Sequence, residues 1–115
     1  MERRDPNQVF EITLSDEGDM RVLRFAGELD MAGVDRFQKL LAKEGTSEIA
    51  TFVLDMRDLS FIDSSGLRAV IMADERVRAK GGRIVVVRGP QRVNEVMEMT
   101  GVARQIEIVD EPPES

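Results

Sequence analysis

The side chains with most chemical interest fall in one short run, Asp63-Ser64-Ser65-Gly66. A carboxylate beside two hydroxyls suits the mouth of a helix, where the first amides have no partner of their own and accept side-chain oxygens as caps. Hydroxyls can also act as nucleophiles, but only with a base to activate them. The chain has no histidine to serve as that base, and no cysteine for thiolate chemistry, disulfides or metal ligation. Gly66 in a first helical turn costs about 1 kcal/mol relative to alanine. That cost calls for a reason, such as close approach by another backbone. As an isolated tetrapeptide the run is accounted for by an ordinary cap and a packing glycine.

The run must be positioned by the elements around it. Ile49 to Met56 is a near-continuous apolar stretch of strand length, as expected for a strand covered on both faces. Residues 57 to 63 read as a connection, and Ser64 to Lys80 as a helix. Its inner stripe is Leu67, Val70, Ile71 and Val77, with Arg68, Asp74, Glu75, Arg76 and Arg78 toward solvent and Gly81-Gly82 as the stop. Upstream, the alternation of Val9, Glu11 and Thr13 with Phe10, Ile12 and Leu14 predicts a strand. Ser15 to Asp19 is a turn cluster, and Met20 to Phe25 completes a hairpin. Gly27-Glu28-Leu29-Asp30 breaks the strand pattern. Asp30 then caps a helix whose inner face is Met31, Val34, Phe37, Leu40 and Leu41, ending near Gly45. Downstream, Ile84 to Val87 predicts a central strand. Gln91 to about Thr100 predicts a third helix on Val93, Val96 and Met97, stopped by Gly101, and Ile106, Ile108 and Val109 a last strand.

The order β-β-α-β-α-β-α-β predicts a single α/β domain, a mixed sheet with helices packed against it. Residues 1–7 are expected to be a flexible lead-in, 8–109 the domain, and 110–115 a disordered acidic tail, because paired prolines stop a continuing element. In such sheets ligands gather beyond the C-terminal ends of strands, which singles out the 56–66 connection.

With 115 residues there is room for one core, and 42% hydrophobic composition is ample to fill it. Sixteen basic against 22 acidic side chains leave a net charge of −6. That balance speaks against binding a nucleic-acid backbone or an anionic membrane. No apolar run approaches the roughly 18 residues of a membrane span, and the first residues lead into no apolar stretch. The expectation is a cytoplasmic protein that is not an enzyme, holds no cofactor, and has neither nucleic acid nor membrane as a partner.

Longer landmarks add to this. Gly27-Glu28-Leu29-Asp30, Val53-Leu54-Asp55, the ten-residue stretch Asp58-Leu59-Ser60-Phe61-Ile62-Asp63-Ser64-Ser65-Gly66-Leu67, and Gly81-Gly82 before Ile84-Val85-Val86-Val87 follow one another across residues 8–109. In these the chain resembles the STAS family, specifically the bacterial anti-sigma factor antagonists. The resemblance implies a partner switch in stress-response or sporulation signalling. Ser64, the first serine after the aspartate, would be phosphorylated by an anti-sigma factor that is also a serine-protein kinase. The unphosphorylated chain would bind that factor and free a sigma factor, phosphorylation would release it, and a serine phosphatase would restore binding. ATP and magnesium would belong to the kinase. Around Ser64 the implied partner-binding residues are Asp30, Phe61, Ile62, Asp63, Ser65, Gly66 and Leu67. Each also has a plainer reading: Asp30 as a cap, Phe61 and Leu67 as core, and Ser65 as a rival phosphosite that only family position sets aside. The resemblance departs at Glu-Pro-Pro-Glu-Ser, where family members commonly have a further helix. Either that helix is absent, or the third helix takes its place.

Three other classes compete. Asp55, at the end of a strand, suggests a receiver-type phosphoacceptor, but an early acidic pair for magnesium and a lysine near the last strand are missing. A serine hydrolase lacks Gly-x-Ser-x-Gly and histidine, and the phosphate-binding Gly-x-x-x-x-Gly-Lys-Ser/Thr loop is absent. The third is a STAS module of a larger signalling or lipid-transport assembly, in which Ser64 merely caps.

Overall fold

Hydrophobic alternation and a few glycines set the first half of the chain. The computed structural model describes residues 10–44 and 48–114; the expectations placed on residues 1–9, on Gly45 and on Ser115 lie outside the described residues. Strand β1 (Glu11–Glu17) turns into β2 (Met20–Leu29) through Gly18-Asp19 alone, with Glu17 opposite Met20. Gly18 adopts φ 64°, which permits this two-residue reversal, tighter than the Ser15–Asp19 cluster suggested. Helix α1 (Met31–Glu44), strand β3 (Thr51–Ile62), helix α2 (Ser64–Ala79), strand β4 (Arg83–Val87), helix α3 (Gln91–Met99), a 3-10 turn at Val102–Arg104 and strand β5 (Glu107–Val109) follow.

The five strands lie in the order β1-β2-β3-β4-β5. β1 and β2 are antiparallel, and every other neighbouring pair is parallel, so the sheet is mixed as expected. The centre is β3; β4, expected there, lies one place along, still interior. Alternate strand residues, including Leu23, Phe25, Leu54, Met56 and Val86, join Phe37 of α1, Val70 of α2 and Met97 of α3 in one core. Phe10, Phe25 and Phe37 stack edge-to-face through it, with ring centroids 5.5 and 5.0 Å apart. The intervening residues Met20, Val22, Val53 and Val87, with Val109 against them, form a smaller cluster that contains no helix residue. Among the described residues no helix is long and apolar enough to cross a membrane.

Several expectations are corrected. Gly27 does not end β2: the strand continues to Leu29, with register shifts between Arg24 and Ala26 and between Gly27 and Glu28, and Gly27 at φ 88°. The break in pattern is an irregularity within the strand. β3 likewise runs through 57–62, because the prolonged β2 supplies a partner for Asp58, Leu59, Phe61 and Ile62. Phe61 and Ile62 are therefore strand residues, not loop. Asp74 is buried, since Arg78 donates to its carboxylate at 2.9 Å from the next turn and to the Gln105 carbonyl at 2.9 Å. Met31 is 74% exposed, while Gly33 takes the inner position of that turn directly under the Phe10 ring. Leu14, on the outermost strand, is exposed as well. Residues 110–114, expected to be disordered, are placed beside the sheet: Asp110 pairs with Arg88 at 2.9 Å, and Pro112 and Pro113 are half-buried.

Candidate functional site

The extension of β2 and β3 beyond their neighbours determines where two helices begin. Leu29 and Ile62 are paired at the ends of these parallel strands, so α1 and α2 start side by side at one edge of the sheet. Each start is capped by an aspartate. Asp30 Oδ1 accepts from the amides of Ala32 at 3.1 Å and Gly33 at 3.2 Å. Asp63, in extended backbone at φ −105° and ψ −175°, accepts at Oδ1 from the Gly66 amide at 2.9 Å, while its carbonyl accepts from Leu67 N at 3.0 Å. Such a cap contributes about 1 kcal/mol. The Asp63 amide in turn donates to the Leu29 carbonyl at 3.3 Å, tying the two helix starts together.

With Asp63 as the cap, Ser64 is the first residue of α2 and is exposed, and Ser65 is half-buried. Among the described residues the Ser64 hydroxyl has no hydrogen-bond partner, and the Ser64 and Ser65 amides have no acceptor. The close backbone approach that Gly66 requires is internal. A Cβ there would stand 2.5 Å from the Leu29 carbonyl oxygen and 2.9 Å from Ile62 Cγ1. Gly66, Leu67 and Ile62 are buried, so these three expected contact residues support the site from inside, without presenting a surface.

Phe61 is 41% exposed, and two methionines that sequence pattern alone does not assign to the site are exposed as well: Met31 and, at 45%, Met72. A groove of about 310 Å³ runs between α1 and α2, lined by Met31, Val34, Gln38, Ser64, Arg68 and Met72 among others. The usable signal for Met72 is its place off the inner stripe of α2, as an apolar residue with nothing to pack against.

Asp55 lies on the other face of β3, 2% exposed. Burial pushes its carboxyl upward, but the Arg57 side chain and amide, at 2.8 to 3.1 Å, and the Arg57 and Arg24 charges outweigh that and hold it below the ordinary carboxylate value. Arg24 reaches Asp55 at 3.7 Å and Asp58 at 3.4 Å, so Asp55 sits inside an ionic network. Among the described residues no group of three or more carboxylate, histidine or cysteine side chains could hold a metal ion.

The family model for the STAS domain matches residues 11–114. The chain belongs to the STAS domain family. The STAS chain is 28% identical over 82 residues to the anti-sigma F factor antagonist of Lysinibacillus sphaericus, covering 70% of each. Its fold matches the crystal structure of an anti-sigma factor antagonist from Mycobacterium paratuberculosis with a TM-score of 0.79, at 17% identity, over 93% of this chain and 90% of that one. It also matches the Bacillus cell fate determinant SpoIIAA in its phosphorylated form, with a TM-score of 0.67 at 22% identity, over 90% of this chain and 93% of the other. The α/β architecture expected from the sequence is thus that of the family.

Proposed function

We infer that this STAS domain is an anti-sigma factor antagonist that works by partner switching, with Ser64 as its phosphoacceptor. The observation that carries this is the division of labour at the α2 start. Asp63 does the capping, so the exposed Ser64 hydroxyl is left without a structural task. Exposure also favours Ser64 over the half-buried Ser65. The kinship with anti-sigma factor antagonists supports an anti-sigma factor as the partner. In the proposed switch this factor is also a serine-protein kinase supplying ATP and magnesium, opposed by a serine phosphatase.

The kinase moves the γ-phosphoryl of ATP onto Ser64 Oγ, the hydroxyl proton departs, and ADP leaves. The new group adds about −1.5 to −2 charge. At a helix start, beside amides without acceptors, that charge is tolerated in the free domain. In the complex it would be stripped of water next to Asp63. An uncompensated buried charge costs roughly 3–5 kcal/mol, and each 1.4 kcal/mol is about tenfold in affinity. The switch therefore weakens binding by roughly two to three and a half orders of magnitude on this scale. Met31 and Met72, which line the groove with Ser64, supply apolar contact together with the exposed Phe61 at the end of β3, Ser65 and Asp30 the polar margin, and Ile62, Gly66 and Leu67 hold the site in shape.

The test is incubation with the cognate anti-sigma kinase and ATP, followed by mapping of the modified residue, together with capture on unmodified and Ser64→Asp baits. Phosphate on Ser64 and loss of capture by Ser64→Asp are expected. Phosphate confined to Ser65, or equal capture by both baits, would contradict the reading.

A further inference from the structure

We propose that Arg68 is the internal counter-ion of phosphorylated Ser64, holding the phosphate in the groove between α1 and α2. The inference rests on the reading of Ser64 as phosphoacceptor and adds a residue to it. Ser64 and Arg68 are four apart on α2, and both line the same 310 Å³ groove. Residues at that spacing are neighbours on one helix face, and helical side chains lean toward the N-terminus, so Arg68 reaches back over Ser64. An acidic group four residues before a basic one is the favoured orientation.

Arg68 is also available. Arg57, Arg78, Arg83 and Arg88 each pair with a carboxylate, whereas among the described residues Arg68 has no ion pair or side-chain hydrogen bond. Among the described residues it carries the only charge in the groove lining; α1 contributes Met31, Val34 and Gln38 there. The acidic groups at this end of the sheet, Asp63 beside Ser64 and Asp30 and Glu28 just before α1, repel a phosphate. Among the described residues lining the groove Arg68 is the cation, and its guanidinium can offer two parallel donors to phosphate oxygens. Its single positive charge offsets only part of the roughly −1.5 to −2 on the phosphate, so an uncompensated negative charge beside Asp63 remains to weaken the complex.

The test uses the full chain with phosphoserine placed at residue 64 during synthesis, and follows the second ionisation of the phosphate by phosphorus NMR. That ionisation ordinarily lies near pH 6. The proposal expects it to rise by about 0.2–0.4 of a pH unit in Arg68→Gln, with Arg68→Lys in between, and the difference to vanish in denaturant. Coincident curves for the parent and Arg68→Gln, or a difference that survives unfolding, would overturn the pairing. Because no partner is present, that failure leaves partner switching standing. Conversely, a phosphorylated chain that still holds its anti-sigma factor would defeat partner switching without altering the titration.

Discussion

Replacing Gly66 by alanine sets two known effects against each other at one atom. Alanine is the better helix former by about 1 kcal/mol, so an unhindered site would be stabilised. Here the added Cβ falls 2.5 Å from the Leu29 carbonyl oxygen and 2.9 Å from both Ile62 Cγ1 and Leu29 Cγ. The side chains could shift, but the carbonyl belongs to the end of β2 and accepts from the Asp63 amide, so relief requires moving β2 and α2 apart. Inserting a methyl into a packed site of this kind costs about 1–3 kcal/mol or more, and a backbone obstacle puts the cost at the upper end. The net expectation is a loss of about 1–2 kcal/mol. Urea denaturation followed by circular dichroism should show the midpoint falling with the slope unchanged. Gly82→Ala, whose Cβ would meet the Ala50 carbonyl at 2.8 Å, is a matched crowded site far from Ser64. A Gly66→Ala protein as stable as the parent, or more so, would refute the claim that this glycine exists for the Leu29 approach.

Two further outcomes follow from the caps and from the ionic network. Asp63→Ala should cost about 1 kcal/mol in the same denaturation assay, and Ser64→Ala less than about 0.5, because the Asp63 side chain caps α2 and the serine hydroxyl bonds to nothing among the described residues. Asp55 is held below the ordinary carboxylate value in the folded state, so the unfolded chain takes up its proton first as pH falls. Its contribution is complete above the unfolded value near 3.9 and is lost as pH drops through the folded one. Stability measured from pH 6 downward should therefore fall less steeply in Asp55→Asn than in the parent below about pH 4, even though Asp55→Asn is less stable at neutral pH.

Much of this site can be read from residue order, and the parts that cannot have definite physical causes. Asp30 as a cap, the stops at Gly81-Gly82 and Gly101, and the apolar runs of β3 and β4 follow from local rules that tertiary structure does not override. The last six residues of β3 are not legible, because Arg57, Asp58 and Ser60 look like loop. They are strand because β2 outruns Phe25 and offers a partner on one side only, leaving four of the six exposed. Asp74 shows the same limit: a charge reads as surface until a guanidinium one turn on covers it. At the site, composition does not rank Ser64 against Ser65, whereas one turn of helix separates them by exposure. Gly66 stands out by its cost, but its partner, the Leu29 carbonyl, comes from a strand whose length the local pattern understates.

The central claim is that a dianion at the start of α2 decides whether another protein is held. It is tested most directly by titrating the cognate anti-sigma factor with the chain unmodified and with the chain carrying phosphoserine at residue 64, under identical salt. The account predicts a dissociation constant at least about a hundredfold weaker for the modified chain, with its circular dichroism spectrum unchanged. Equal affinities for the two folded forms would contradict it.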